Sequence, residues 1–163
     1  MLADWLIIDG NNLVHSGRAR SPRGRALDFD SERWALARRL DELAGDLADR
    51  VTVVFDGKYA GRNAAFDASA VEVLFTAGET TADARIERLV ASSPHPARIT
   101  VVTSDRGETL TVEAAGAGTM SCAIFLDHIE ERRAALDDQI RRRRSRAGPA
   151  TLGDFFPRRE EGG

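Results

Sequence analysis

The chain has little of what most enzyme classes need. One cysteine, Cys122, stands among 163 residues, which excludes an internal disulfide and fits a reducing compartment. The three histidines, His15, His95 and His128, are scattered, so neither a zinc cluster nor a Ser-His-Asp arrangement is expected, and no Gly-x-Ser-x-Gly elbow occurs. A Walker-type glycine loop is missing, and Gly57 and Gly61 do not form a dinucleotide fingerprint. No apolar run approaches the ~20 residues that span a bilayer. Met1-Leu2-Ala3-Asp4 lacks the basic leader of a signal peptide, so a cytoplasmic protein with no membrane partner is expected. Lysine is nearly absent, with Lys58 alone among 23 basic residues. Arginine makes forked contacts to phosphate, but genomic base composition produces the same bias. A net charge of −3 excludes a uniformly basic nucleic-acid binder and leaves room for a local basic patch.

What is present is a series of short apolar runs that end on carboxylates. Leu6-Ile7-Ile8 runs into Asp9-Gly10-Asn11-Asn12, Val51–Phe55 into Asp56-Gly57, and Ile99–Thr103 into Ser104-Asp105. Runs of this length bounded by turn residues read as strands buried on both faces of a parallel sheet. Val71–Phe75 reads as a further strand, and Thr119–Cys122 as a short last one. Between them, a helix capped by Asp30 or Ser31 carries Leu36, Leu40, Leu43 and Leu47. A second opens in the Gly78–Glu87 stretch and runs to about Ser92, and a third covers Glu108–Ala115. A long helix from about Phe125 is expected to turn Ile129, Leu136 and Ile140 inward. Arg18–Arg25 reads as a basic loop, and Lys58–Ala70 as a loop that offers Lys58 and Arg62 to a ligand. Gly148-Pro149 breaks the last helix. One α/β domain over residues 1–147 and a tail over 148–163 are therefore expected.

Alternating strands and helices imply a parallel sheet whose carboxyl ends share one edge. Asp9, Asp56 and Asp105 would converge there, and a divalent cation relieves the repulsion among such groups. Asp83 has two readings. In Thr80-Thr81-Ala82-Asp83 it completes a capping box, and at a helix start it also faces the same edge. Oxygen ligands without histidine or cysteine point to Mg²⁺ or Mn²⁺. The chemistry that needs only acids, a metal and a basic surface is phosphodiester hydrolysis. Arg18, Arg20, Arg23 and Arg25, with Arg141, Arg142, Arg143 and Arg144, are candidates for that surface, although arginines at a helix end also complement its dipole.

Asp9-Gly10-x-Asn12, Val54-Phe55-Asp56, the Val71–Phe75 strand with Thr76, Thr81-Ala82-Asp83 with Ile86-Glu87, and Thr103-Ser104-Asp105 together resemble the YacP-like branch of the NYN domain nucleases. The resemblance covers roughly residues 4–145. It implies a PIN-like Rossmannoid three-layer sandwich with a mostly parallel central sheet, and a metal-dependent endoribonuclease acting on RNA, including messenger RNA at the ribosome. It implies Asp9, Asp83 and Asp105 as metal-site acids, Asn12 as support for Asp9, and Asp56 as a further candidate ligand. Asn11 stands where the family often has an aromatic residue. Glu79 lies one residue too far from Asp83 to be assigned.

Two other functions compete. A noncatalytic RNA- or ribosome-binding module would keep the fold, but it has no need to gather like charges. A haloacid dehalogenase-type phosphatase wants a second Asp where Asn11 stands. In the tail, Leu152–Phe156 is an apolar knot that either packs on its own domain or docks in a protein partner.

Overall fold

The computed structural model describes residues 2–20, 29–57, 61–62, 70–76 and 79–147, with backbone alone at 18–20, 29–30, 61–62 and 146–147. The chain divides into two compact units, residues 1–129 and 130–163.

The first unit is built on a six-stranded sheet in the order β3-β4-β2-β1-β5-β6. Its strands are β1 (Ala3–Asp9), β2 (Ala48–Asp56), β3 (Gly61–Arg62), β4 (Val71–Thr76), β5 (Ile99–Val102) and β6 (Gly118–Met120). All pair in parallel except the two-residue β3, which runs antiparallel to β4. β1 lies between β2 and β5, so strand order reverses on either side of it. Such a reversal opens a crevice at the carboxyl ends, where α/β sheets bind ligands. Leu6, Ile7 and Ile8 are fully buried, as a strand covered on both faces requires.

Side chains alternate across the sheet. Leu6, Ile8, Val53, Phe55 and Val102 enter one core with residues of α1 (Gly10–Arg20), α2 (Phe29–Leu47) and the start of α5 (Cys122–Ala147). Ile7, Val54 and Val101 enter the other, with Ala82, Ile86 and Val90 of α3 (Ala82–Ala91) and Val112 of α4 (Arg106–Ala114). The result is the expected three-layer α/β sandwich. α4 stops at Gly116, whose φ of +95° only glycine takes easily.

Several local expectations are corrected. Arg18 and Arg20 belong to α1, not to a loop. Leu13 and Val14 are the buried apolar side chains among the described residues of α1, too short a stripe to announce a helix. α4 starts at Arg106, two residues earlier than expected, because Asp105 caps it. α3 is capped by Thr81, not Thr80, so the expected capping box is out of frame. Leu136 and Ile140 point outward, 37% and 41% exposed. They lie in the second unit, whose described part is the continuation of α5, a solvated helix with an Arg142–Asp138 ion pair at 2.7 Å. Its charged composition, not its few apolar residues, sets its exposure. Lys58, Arg23, Arg25 and the Leu152–Phe156 knot lie outside the described residues, as do the side chains of Arg18, Arg20 and Arg62.

Candidate metal centre

Among the helices that begin at the carboxyl edge of the sheet, α1, α3 and α4 each open on a side chain that accepts a hydrogen bond from the N–H three residues on. Asp9 accepts from Asn12 at 3.0 Å, Thr81 from Ala84 at 3.2 Å, and Asp105 from Glu108 at 2.9 Å. Each bond satisfies a helix N–H that has no partner within its own helix. The positive helix ends also favour carboxylates at this edge. Gly10 is needed for the close approach: a Cβ there would lie 2.2 Å from the Phe55 ring.

Ligand oxygens of Asp9, Asp83 and Glu108 lie within 4.8 Å of one another. Asp9 is 1% exposed and Glu108 2% exposed, and Asp83 is the most accessible of the three. The Asn12 side-chain amide also donates to Asp9, so that carboxylate is gripped by two N–H groups of one residue. Burial raises the Asp9 carboxyl above its ordinary range, and the Asn12 donors pull it partly back. Burial likewise raises Asp83, reinforced by the charges of Asp9 and Asp105. For Glu108, burial pushes the carboxyl up to about 8. The Thr103 hydroxyl offsets part of this, and Asp9, Asp83 and Asp105 add to it.

Sequence reasoning did not assign Glu108. Asp105-x-x-Glu108 has capping-box spacing, in which the glutamate would turn back to the N–H of its cap residue. Here that N–H donates to the Thr103 hydroxyl at 3.0 Å. Among the described residues, neither buried Glu108 carboxylate oxygen has a well-formed hydrogen bond, although the Thr103 hydroxyl is near enough to act on it. The spacing was the available signal, because a residue three positions into a helix that starts at a strand end faces the sheet edge.

The other expected residues are also placed. Asp105 holds the α4 N-terminus through Oδ1, and its charge acts on Asp83 and Glu108. Asp56 accepts hydrogen bonds from Asn11, Thr76 and Ala82. Arg33, not anticipated from sequence, is 8% exposed, lies over the Phe55 ring at 5.5 Å and donates to the Asp56 carbonyl. Arg141–Arg144 are solvent-exposed on α5.

A buried carboxylate without a well-formed hydrogen bond is costly as an anion. Two neighbouring acids raise that cost, and a hard divalent cation removes it. The donor set, all oxygen, fits such an ion.

A family model for the YacP-like NYN domain matches residues 6–155. The chain belongs to the YacP-like NYN domain family. YacP of Bacillus subtilis (strain 168) is 30% identical over 141 residues, covering 85% of this chain and 82% of that protein. A crystal structure of Rae1 (YacP) from Bacillus subtilis matches with a TM-score of 0.70 at 29% identity, covering 93% of this chain and 88% of that one. A mutant of the same protein matches with a TM-score of 0.70 at 29% identity over 87% and 84%. The family expected from the motifs is thus the family found. NYN domains have a nuclease-like fold, and membership supports an RNA-related nuclease role in general terms. Among the described residues, no helix is long and apolar enough to cross a membrane.

Proposed function

We propose that the protein is a metal-dependent endoribonuclease that hydrolyses RNA phosphodiesters, with Asp9, Asp83 and Glu108 holding Mg²⁺ or Mn²⁺. The observation that carries this reading is Glu108, whose buried carboxylate has no well-formed hydrogen bond among the described residues and offers an oxygen close to those of Asp9 and Asp83. A divalent ion there supplies charge neutralisation at a phosphate and acidifies a water. Asn12 fixes the Asp9 carboxylate with its two donors. Asp105 adds negative charge beside the cluster from its cap position, and a ligand role for its second oxygen belongs to the same proposal. Arg141–Arg144 and the arginines of 18–25 would bind RNA phosphates. Messenger RNA on the ribosome is the substrate context we propose.

The test combines Mn²⁺ calorimetry with cleavage of a single-stranded RNA. Wild type should bind Mn²⁺ and cut, and EDTA should stop cutting. Asp9→Asn and Glu108→Gln should lose cleavage by orders of magnitude while RNA binding persists, because the acids act mainly on the transition state. RNA binding with no cleavage by wild type in either metal would favour a noncatalytic binding module. Cleavage in excess EDTA would remove the metal from the mechanism.

A further inference from the structure

Asp56 ends β2 beside the acid cluster, yet its oxygens are occupied by protein donors. Oδ1 accepts the backbone N–H of Ala82 at 2.6 Å and the Thr76 hydroxyl at 3.1 Å, and Oδ2 accepts the Asn11 amide at 3.4 Å. Arg33 closes the arrangement from α2, donating to the Asp56 carbonyl and, at 3.3 Å, to the Asn11 side-chain oxygen. One carboxylate thereby joins β2 to β4, to α1 and to the first residue of α3.

The bond to Ala82 matters most. Ala82 opens α3, so its N–H is one of those a helix cannot satisfy internally, and Thr81 serves a different one, that of Ala84. The residue after Ala82 is Asp83, the most accessible member of the acid cluster. Asp83 has no strand beneath it, unlike Asp9, so its place depends on how the α3 N-terminus is pinned.

We infer that Asp56 is a positioning residue rather than a metal ligand: by anchoring the α3 N-terminus it sets Asp83 against Asp9 and Glu108. This rests on the metal-centre reading above and adds what holds the centre together. Charge-assisted bonds to backbone N–H groups are among the stronger hydrogen bonds, and small misplacements of a site acid have large consequences.

Asp56→Ala and Asp56→Asn separate the two roles. An asparagine oxygen still accepts the Ala82 N–H but brings no charge to a cation. If Asp56 positions, Asp56→Ala should weaken Mn²⁺ binding at least tenfold and speed amide exchange at 82–86 at least tenfold. Asp56→Asn should restore both to within about threefold of wild type, and cleavage by Asp56→Ala should recover at high Mn²⁺. Thr76→Val, which removes one donor and keeps the volume, should give a small shift in the same direction. If Asp56→Asn loses Mn²⁺ affinity as fully as Asp56→Ala while exchange stays at the wild-type rate, Asp56 is a ligand and the inference is wrong. Unchanged exchange and affinity in Asp56→Ala would also overturn it. Amide exchange is read without metal or RNA, so a wild type that binds Mn²⁺ but does not cleave would overturn the nuclease reading alone.

Discussion

At the residue scale, Glu108 links stability to pH. Its carboxyl is raised from 4.5 to about 8 in the folded chain. Between those values the folded protein holds a proton that the unfolded chain has lost, so metal-free stability falls as pH rises. The slope is at most about 1.4 kcal/mol per pH unit from this group, and the raised Asp9 acts in the same sense. In EDTA, the melting temperature should therefore drop between pH 5 and pH 8. Glu108→Gln should flatten that drop and exceed wild type in stability at pH 8; a profile unaltered by the substitution would contradict the burial argument. Gly10→Ala tests the neighbouring residue from the packing side. Its methyl would meet the Phe55 ring at 2.2 Å, so a loss of about 1–3 kcal/mol is expected in denaturant unfolding. Weakened Mn²⁺ binding should accompany it, because Asp9 would move with the backbone.

At the scale of elements, the site is a meeting of helix starts. The bond from Ala84 to Thr81 spans 3.2 Å, and Thr81→Ala should cost about 1 kcal/mol of stability. Since Asp56 still pins Ala82, Mn²⁺ affinity should change by less than about threefold. A larger loss would show that the cap, and not Asp56, places Asp83. α5 offers the opposite case. Cys122, Phe125 and Ile129 are fully buried, whereas Leu136 and Ile140 are exposed. Leu136→Ser and Ile140→Ser should each change unfolding free energy by less than about 0.5 kcal/mol, far below the 2–5 kcal/mol expected for Ile129→Ala. Helical periodicity could not separate these positions, because it shows which residues share a face and not how far along the helix a core extends.

At the scale of the whole molecule, metal binding should couple to folding. If the acid cluster holds Mn²⁺ only when folded, a concentration 100-fold above its Kd adds about 2.7 kcal/mol, read as a rise in melting temperature that EDTA reverses. Asp9→Asn should remove the rise. Replacing Arg141–Arg144 with alanine should weaken RNA binding across sequences and flatten its salt dependence; an unchanged slope would leave these exposed residues to solubility. The parallel sheet was legible in the sequence because a strand buried on both faces must be apolar throughout, as Leu6, Ile7 and Ile8 are. The strand-end acids Asp9, Asp56 and Asp105 were legible for the same local reason, as was the family through the ordered motifs that contain them. Their separate duties were not legible. Asp56 spends its oxygens on Asn11, Thr76 and Ala82, Asp105 spends one on α4, and Glu108, in no strand, has no well-formed hydrogen bond to either oxygen among the described residues. A residue's burial pattern is written in its neighbours along the chain. The partners of a carboxylate oxygen come from α1, β4, α3 and α4, and only the tertiary structure brings those donors to one edge or withholds them.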